Sequence, residues 1–215
     1  MSARHVLITI SRQFGSGGSH IGRHLAARLG YRYIDREILK RATDLLGGDE
    51  ARLAEREERL SGFWESVMNA FAQGIPEAGY VPPPIRPVYD RDLFKAEAMV
   101  IKEVAEMGPA VIVGRCGAFV LKGYAGLVNT FIHARKDFRI RNVLETYHLA
   151  DAREAAALIE ESDTRRERFI SAMTGKKWSD ATNYHLCIDS GAAGYDAAEQ
   201  MIAALAETIK GRLGL

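Results

Sequence analysis

The stretch "ISRQFGSGGSHIG", residues 10–22, constrains the fold of this 215-residue chain more than any other. It follows the β-branched apolar run "HVLITI" (5–10), which is typical of a parallel strand buried on both faces. After it, apolar residues recur at every fourth position up to Gly30, which predicts a helix with a glycine cap. A glycine-rich turn between a buried strand and a helix favours an α/β fold with an anion site at the helix N-terminus.

Further apolar runs predict four more strands, with helical patterns between them. These runs lie at 31–34, 109–114, 127–134 and 184–190, and a closing helix follows them with Met201, Ile202, Leu205, Ile209 and Leu213 facing inward. Strands that alternate with helices predict an α/β fold, with a five-stranded parallel sheet and helices on both faces.

The segment between the second and third strands predicts an insertion in a single domain that spans 1–215. Residues 36–72 have a charged and then amphipathic helical pattern, and 74–90 contain five of the six prolines. Because proline disrupts both helices and sheet ladders, we expect a loop there and a mobile insertion over 47–90.

The overall composition argues against several classes of protein. Lys+Arg 29 against Asp+Glu 28 leaves a net charge of +1, so no overall field would attract nucleic acid. No apolar stretch approaches the roughly 18 residues of a membrane span, and the first residues lack a signal-peptide pattern. We expect a cytoplasmic protein in which Cys116 and Cys187 remain thiols, and the six histidines show no zinc-ligand spacing.

The loop matches the phosphate-binding pattern G-x-x-x-x-G-K-[ST] only in part. In the register set by Gly17 and Ser19, Arg12 stands at the first glycine and Gly18 at the lysine. Three glycines and the helix N-terminus still favour phosphate binding, and the Ser19 hydroxyl is a candidate ligand for Mg²⁺. The predicted ATP-binding residues are Gly15, Ser16, Gly17, Gly18 and Ser19.

Arg12 is the candidate replacement for the missing lysine. Phosphoryl transfer needs a cation near the β- and γ-phosphates, and an arginine at a position that usually needs glycine is unexpected unless its side chain turns toward them. Two alternatives remain open, namely that Arg12 points outward to a surface carboxylate, or that an arginine elsewhere supplies the charge.

The motifs along nearly the whole chain resemble the cytidylate kinase-like family of P-loop phosphotransferases. They are "ITISRQFGSGGSHIGRHLA", "YRYIDREIL", "VIVGRCGAFVL", "IHARKDFRIRNVLE", "SDTRRERF" and "TGKKWSDATNYHLCIDS". The resemblance implies a P-loop kinase fold with helical acceptor-binding and lid insertions, and the use of ATP and Mg²⁺.

The resemblance also implies an acceptor site. Asp35 matches an aspartate that lies near the metal and the phosphates in the family. Arg41 matches an arginine that holds the acceptor phosphate, and Arg115 matches a second arginine with the same role. Asp35 as a helix cap and Arg41 as a solvated surface residue remain alternatives. Cys116 stands where the family pattern has an aspartate after the arginine, so the acceptor contacts of that carboxylate do not carry over to this chain.

The stretch "SDTRRERF" resembles the lid of nucleoside monophosphate kinases, here 163–180. Arg165 and Arg168 are the predicted catalytic arginines, with Arg166 as the next choice, and a solvated basic helix surface is the alternative. Only Asp163 of the two lid aspartates survives in register. Asp189, after the last strand, either lies near the adenine of ATP or caps the next turn.

These observations predict an ATP-dependent phosphotransferase that transfers the γ-phosphoryl group to a nucleoside monophosphate, with CMP or dCMP favoured. One alternative is a P-loop kinase of a non-nucleotide metabolite, and another is a nucleotide-binding sensor without turnover. The expected partner is a small-molecule phosphate acceptor, with no nucleic acid and no membrane, and the sequence leaves a homodimer open.

Overall fold

The computed structural model describes residues 5–35, 91–114 and 116–215, except for the side chains of 91–93. The predicted insertion at 47–90, Arg41 and Arg115 lie outside the described residues. Numbered over the described residues, the strands are β1 (Leu7–Arg12), β2 (Arg32–Ile34), β3 (Ala110–Val113), β4 (Leu127–His133) and β5 (Leu186–Asp189). The helices are α1 (Gly18–Leu29), α2 (Arg91–Met107), α3 (Gly117–Val120), α4 (Lys136–Tyr147), α5 (Ala152–Thr174), α6 (Ser190–Ala193) and α7 (Tyr195–Leu213), and a 3-10 turn covers Ala181–Asn183.

The five strands form one parallel sheet in the order β2-β3-β1-β4-β5. The central strand is β1, and its residues Leu7, Ile8 and Ile10 are fully buried because helices cover both faces. The predicted α/β fold with a five-stranded parallel sheet is therefore confirmed. The chain leaves β1 toward β3 and β2 on one side and later returns to β4 on the other, so a crevice opens at the carboxyl end of β1.

One face of the sheet is covered by α1 and α7. Ile21 and Leu25 of α1 and Ile202 of α7 are fully buried in the same cluster as Ile10 and Ile132 of the sheet. This packing follows from the four-residue spacing of the apolar residues in α1. It fixes the start of α1 directly beside the end of β1.

Two sequence expectations about helix positions have different outcomes. Gly30 caps α1 with a left-handed backbone (φ 66), as its position predicted. Met201 was expected to face inward and is 46% exposed. The buried stripe of α7 runs through Ala198, Ile202 and Ala206, and Met201 lies about 100° away from it around the helix.

The other face of the sheet is covered by α2, α3 and the segment that follows α5. Near β4 and β5 this face carries an aromatic cluster, whose buried members are Cys116, Ala118, Phe131, Ile170, Trp178 and Tyr184. Ile170 and Trp178 belong to the predicted lid, and Trp178 is only 3% exposed. Part of that segment is therefore packed in the core.

A third packing unit lies at the carboxyl edge of the sheet, where α4 and α5 form a helical pair. Asp151 caps α5 by accepting a hydrogen bond from the Arg153 amide (2.8 Å). Between the helices, Val143, Ala155 and Ile159 are buried around Phe14, which comes from the loop after β1. The loop is thus joined to this helical pair by an aromatic side chain.

The described helices include none that is long and apolar enough to cross a membrane. Cys116 is buried and Cys187 is exposed on β5, and they are not joined in a disulfide. Both residues are thiols, as the sequence predicted.

Candidate phosphate-binding site

Residues 13–19 connect β1 to α1 in a tight loop at the carboxyl edge of the sheet. Gly15 (φ 77) and Gly17 (φ 76) have left-handed backbone conformations, which residues with side chains rarely adopt. α1 begins at Gly18, and the first N–H groups of a helix have no acceptor within the helix. An arrangement of this kind is able to bind an anion.

The outer side of the loop is packed against α4 and α7. A Cβ on Gly15 would lie 2.8 Å from the Arg139 carbonyl oxygen and 2.9 Å from Cγ2 of Val143. A Cβ on Gly17 would overlap the ring of Tyr195. Glycine is required at both positions by contact as well as by backbone angle, and the neighbouring helices fix the shape of the loop.

Ser16 holds the loop to the sheet. Its side chain is fully buried, and its hydroxyl donates to the carbonyl oxygens of Gln13 (2.8 Å) and Ile132 (3.3 Å). Its own carbonyl oxygen accepts a hydrogen bond from Ser190 Oγ (2.7 Å). The Ser16 amide also donates to the Gln13 carbonyl oxygen (3.3 Å), so Ser16 is engaged within the protein through its amide, hydroxyl and carbonyl groups.

Ser19 and Asp35, the two predicted metal-binding residues, both lie near Tyr33. Tyr33 Oη donates to the Ser19 carbonyl oxygen at 3.5 Å. Burial raises the pKa of Tyr33 to about 12, and the nearby Asp35 carboxylate contributes in the same direction. A serine hydroxyl and a carboxylate at the same edge of the sheet are oxygen donors of the kind that Mg²⁺ prefers.

Arg12 crosses the start of α1 at the carboxyl edge of the sheet. A Cβ on Gly18 would lie 2.5 Å from Cβ and 2.9 Å from Cγ of Arg12. The Arg12 guanidinium occupies the space that a Cβ on Gly114, at the end of β3, would need. The Arg12 side chain therefore passes over the start of α1 and extends toward β3, and its replacement of the motif lysine stays a prediction.

Arg166 of α5 also points toward the loop. Its guanidinium donates to Asp163 (3.1 Å) and lies 5.6 Å from the centre of the Phe14 ring. Burial lowers the pKa of Arg166 to about 9, and repulsion from the charge of Arg12 is the next largest cause. Arg166 remains charged at neutral pH, so Arg12 and Arg166 place two positive charges beside the loop.

Arg165 and Arg168, the predicted catalytic arginines, lie on other faces of α5. Arg165 is paired with Glu161, one turn earlier on the same helix. Arg168 borders an open groove together with Lys176 and Lys177. Two positions along a helix correspond to a rotation of about 200°, so Arg168 faces almost opposite to Arg166. The structure brings Arg166, and neither of these two, to the loop, and a catalytic role for Arg165 or Arg168 stays a prediction.

Three residues that the sequence did not indicate also hold the loop. Arg139 donates to the Phe14 carbonyl oxygen (3.2 Å), and Asn142 Nδ2 donates to the Gly15 carbonyl oxygen (3.1 Å) and to Tyr195 Oη (2.5 Å). Arg139 and Asn142 lie one turn apart in the motif "IHARKDFRIRNVLE", directly after a buried strand, which is the only signal that could have indicated them. Tyr195 has no such signal.

Two further positions bear on the acceptor and the adenine. Cys116, which replaces the family aspartate, has a left-handed backbone (φ 58) and is buried at the start of α3. Asp189 accepts hydrogen bonds from the amides of Gly191 (3.0 Å) and Ala192 (3.2 Å). The interpretation of Asp189 as a cap is confirmed. In the described part of the chain, no group of three or more His, Cys, Asp or Glu side chains is placed to hold a metal ion.

Solved structures with the same fold include kinases. An uncharacterized protein from Eubacterium ventriosum has a TM-score of 0.71 and 22% identity, over 94% of this chain and 99% of that one. A gluconokinase from Sinorhizobium meliloti has a TM-score of 0.52 and 15% identity, over 99% of each chain. These likenesses show the fold alone, and no curated protein matches the sequence.

The family itself is shown by the sequence. The family model of the cytidylate kinase-like family matches residues 7–192, a span that contains the loop, both arginines beside it and all five strands. This chain therefore belongs to the cytidylate kinase-like family.

Proposed function

We propose that this protein is an ATP-dependent phosphotransferase that transfers the γ-phosphoryl group to a small phosphorylated acceptor. The family and the P-loop kinase fold support phosphoryl transfer. The observation that carries the proposal is the position of Arg12, whose side chain lies across the start of α1 where the motif lysine would begin.

The charges around the loop favour a bound polyanion. Arg139 and Arg166 share the carboxylate of Asp163, and Arg166 is in addition repelled by Arg12. Opposite charges that lie close together lower the free energy of a complex, so cationic side chains beside the loop favour a bound anion. The β- and γ-phosphates of ATP would supply this negative charge, held by the amides that begin α1.

In this mechanism the protein positions the reactants and neutralises charge. The loop amides hold the phosphates, and Arg12 and Arg166 stabilise the charge on the transferring phosphoryl group as the transition state forms. Ser19 and Asp35 are the residues that would hold Mg²⁺, which when bound neutralises charge on the β- and γ-oxygens. Exclusion of water by the lid would limit hydrolysis of ATP.

For the acceptor, the proposal favours a nucleoside monophosphate, with CMP or dCMP first. The family pattern supports this through Arg41 and Arg115, which would hold the acceptor phosphate in bidentate contacts. A non-nucleotide acceptor is the second candidate. It is favoured by the buried thiol of Cys116 where the family has a carboxylate, and by Asp163, whose carboxylate is engaged by other protein groups.

An acceptor screen tests this proposal. The protein with Mg²⁺ and ATP would be incubated with a panel of nucleoside monophosphates and of phosphorylated and unphosphorylated metabolites, and products would be detected by mass spectrometry. Formation of CDP or dCDP supports the nucleotide acceptor, and a product from another acceptor alone supports the second candidate. Tight binding of ATP without turnover on any acceptor would instead indicate a nucleotide sensor and contradict the proposal.

A further inference from the structure

Asp163 lies where α5 crosses the phosphate-binding loop, and groups from three separate elements bind its carboxylate. The Phe14 amide donates to Oδ1 at 2.8 Å, Arg139 donates to Oδ2 at 2.5 Å, and Arg166 donates to Oδ1 at 3.1 Å. The Asp163 side chain is 18% exposed, so these charge-assisted bonds are largely shielded from water. One carboxylate thus joins the loop, α4 and α5.

Phe14, the loop residue in this cluster, is held through its amide, its carbonyl oxygen and its ring. The N–H of Phe14 is bound by Asp163, and its carbonyl oxygen accepts from Arg139 (3.2 Å). Its ring lies between Tyr147, with a centroid distance of 5.5 Å, and the guanidinium of Arg166. A shift of α5 relative to the loop would break the contacts of Asp163 and Arg166 together, while the contacts of Arg139 and Tyr147 come from α4.

We propose that Asp163 is a positioning residue for phosphoryl transfer: its carboxylate ties the Phe14 amide and the Arg166 guanidinium into one unit, so that the loop and Arg166 keep a fixed separation around the phosphates. The inference rests on the proposed function, since it assigns the placement of a charge that acts on the transferred group. Without the carboxylate, Arg166 faces the positive charges of Arg12 and Arg139 and turns away from the loop.

The first test is Asp163→Asn, with Asp151→Asn as the matched control. Both substitutions remove a carboxylate from α5, but Asp151 only caps the helix and does not contact the loop. Asp163→Asn should lower kcat by about 10- to 100-fold and weaken ATP binding several-fold, with the acceptor KM almost unchanged. Asp151→Asn should keep kcat within about twofold. Equal kinetic effects of the two variants would overturn the proposal.

A double-mutant cycle tests whether Asp163 acts through Arg166. In an Arg166→Ala background, Asp163→Asn should lower kcat by no more than about threefold further, because the group that it positions is already gone. Fully multiplicative effects on kcat would show that Asp163 acts independently of Arg166, and would overturn the proposal.

A third measurement needs no turnover. Exchange of the Phe14 amide hydrogen, followed by NMR, should be at least about tenfold faster in Asp163→Ala than in the unmutated protein and in Asp151→Asn. Equal protection in all three would overturn the proposed contact. If the unmutated protein transfers no phosphoryl group to any acceptor, the proposed function fails, while this exchange and the ATP affinities still decide the role of Asp163 in holding the loop.

A second variant, Arg166→Gln, tests the same arrangement if the Asp163 variants do not fold. Arg166→Gln should lower kcat while the Phe14 amide stays protected, because Arg139 still holds the carboxylate of Asp163. Loss of Phe14 protection in Arg166→Gln, or an unchanged kcat, would contradict the arrangement that we propose.

Discussion

The side chain of Arg12 fills the space that a side chain on Gly18 would need, since a Cβ on Gly18 would lie 2.5 Å from the Cβ of Arg12. A lysine at position 18, as the usual motif has, and an arginine at position 12 exclude each other in this loop. The two departures from the motif are therefore one structural change, in which the cation enters from the end of β1 and not from the start of α1.

Arg12→Ala should lower kcat by at least about 10²-fold with the fold intact, because loss of one group that stabilises the developing charge costs about 2.7–4 kcal/mol. Arg12→Lys should restore only part of the activity, since an ammonium lacks the planar fork of the guanidinium. Steady-state kinetics and the melting temperature of each variant provide the check.

Arg141→Ala is the control for Arg12→Ala. Arg141 lies on α4 and its side chain is 64% exposed. Its ion pair with Asp137 is long (3.8 Å) and exposed, and such pairs contribute little, so Arg141→Ala should change kcat by less than about twofold. Wild-type kcat in Arg12→Ala would show that Arg12 does not replace the lysine.

Gly18→Lys tests the exclusion between positions 12 and 18 directly. Alone, it should lower both kcat and the free energy of unfolding, the latter by about 1–3 kcal/mol, because the introduced side chain would be packed against that of Arg12. In combination with Arg12→Gly, which also brings back the glycine of the usual motif, kcat should exceed that of either single variant. A double variant no more active than Gly18→Lys alone would argue against the reciprocal relationship.

The arginines of α5 should differ sharply in their effect on kcat. Arg166→Ala should lower kcat by about 10²- to 10³-fold because its guanidinium lies beside the loop, with little change in the acceptor KM. Arg165→Ala and Arg168→Ala should each change kcat by less than about threefold, since both side chains lie on other faces of the helix. The reverse order in the same kinetic assay would support the lid arginines indicated by the sequence.

Arg41 and Arg115, which lie outside the described residues, should act on the acceptor and not on ATP. Changing either to Ala should lower the acceptor kcat/KM by roughly 30- to 1000-fold, because a charge-assisted contact to phosphate is worth about 2–4 kcal/mol. The dissociation constant of ATP, measured without acceptor, should hardly change. Loss of ATP binding in both variants would show that the assignment of these arginines to the acceptor site is wrong.

Ligand-induced closure should involve only part of the predicted lid. Asp163 and Arg166 are attached to the loop, and Ile170 and Trp178 are buried in the aromatic cluster. Hydrogen exchange with and without ATP plus acceptor should therefore show new protection in 47–90 and in 171–177, with little change at 163–170. Equal protection of 47–90 and 171–177 in both states, at saturating ligand, would count against closure.

The local pattern of the amino-acid sequence was sufficient to predict the sheet, the loop and the helix cap at Gly30. A strand buried on both faces must be apolar throughout, and a helix on one face of a sheet must repeat its apolar residues every three to four positions, so these elements are visible without knowledge of their neighbours. The loop was also recognisable, because a left-handed turn such as that at Gly15 favours glycine.

The tertiary structure alone decided which charged groups meet at the loop. In "SDTRRERF" the arginines differ by only one or two positions, yet each position turns a side chain by about 100°, and a charged stretch has no apolar stripe strong enough to reveal the phase of the helix. That phase is set by Phe14 and the α4–α5 pair, which bring Asp163 and Arg166 inward. Arg12 likewise turns toward β3 only because Gly18 and Gly114, from two other elements, leave room for it.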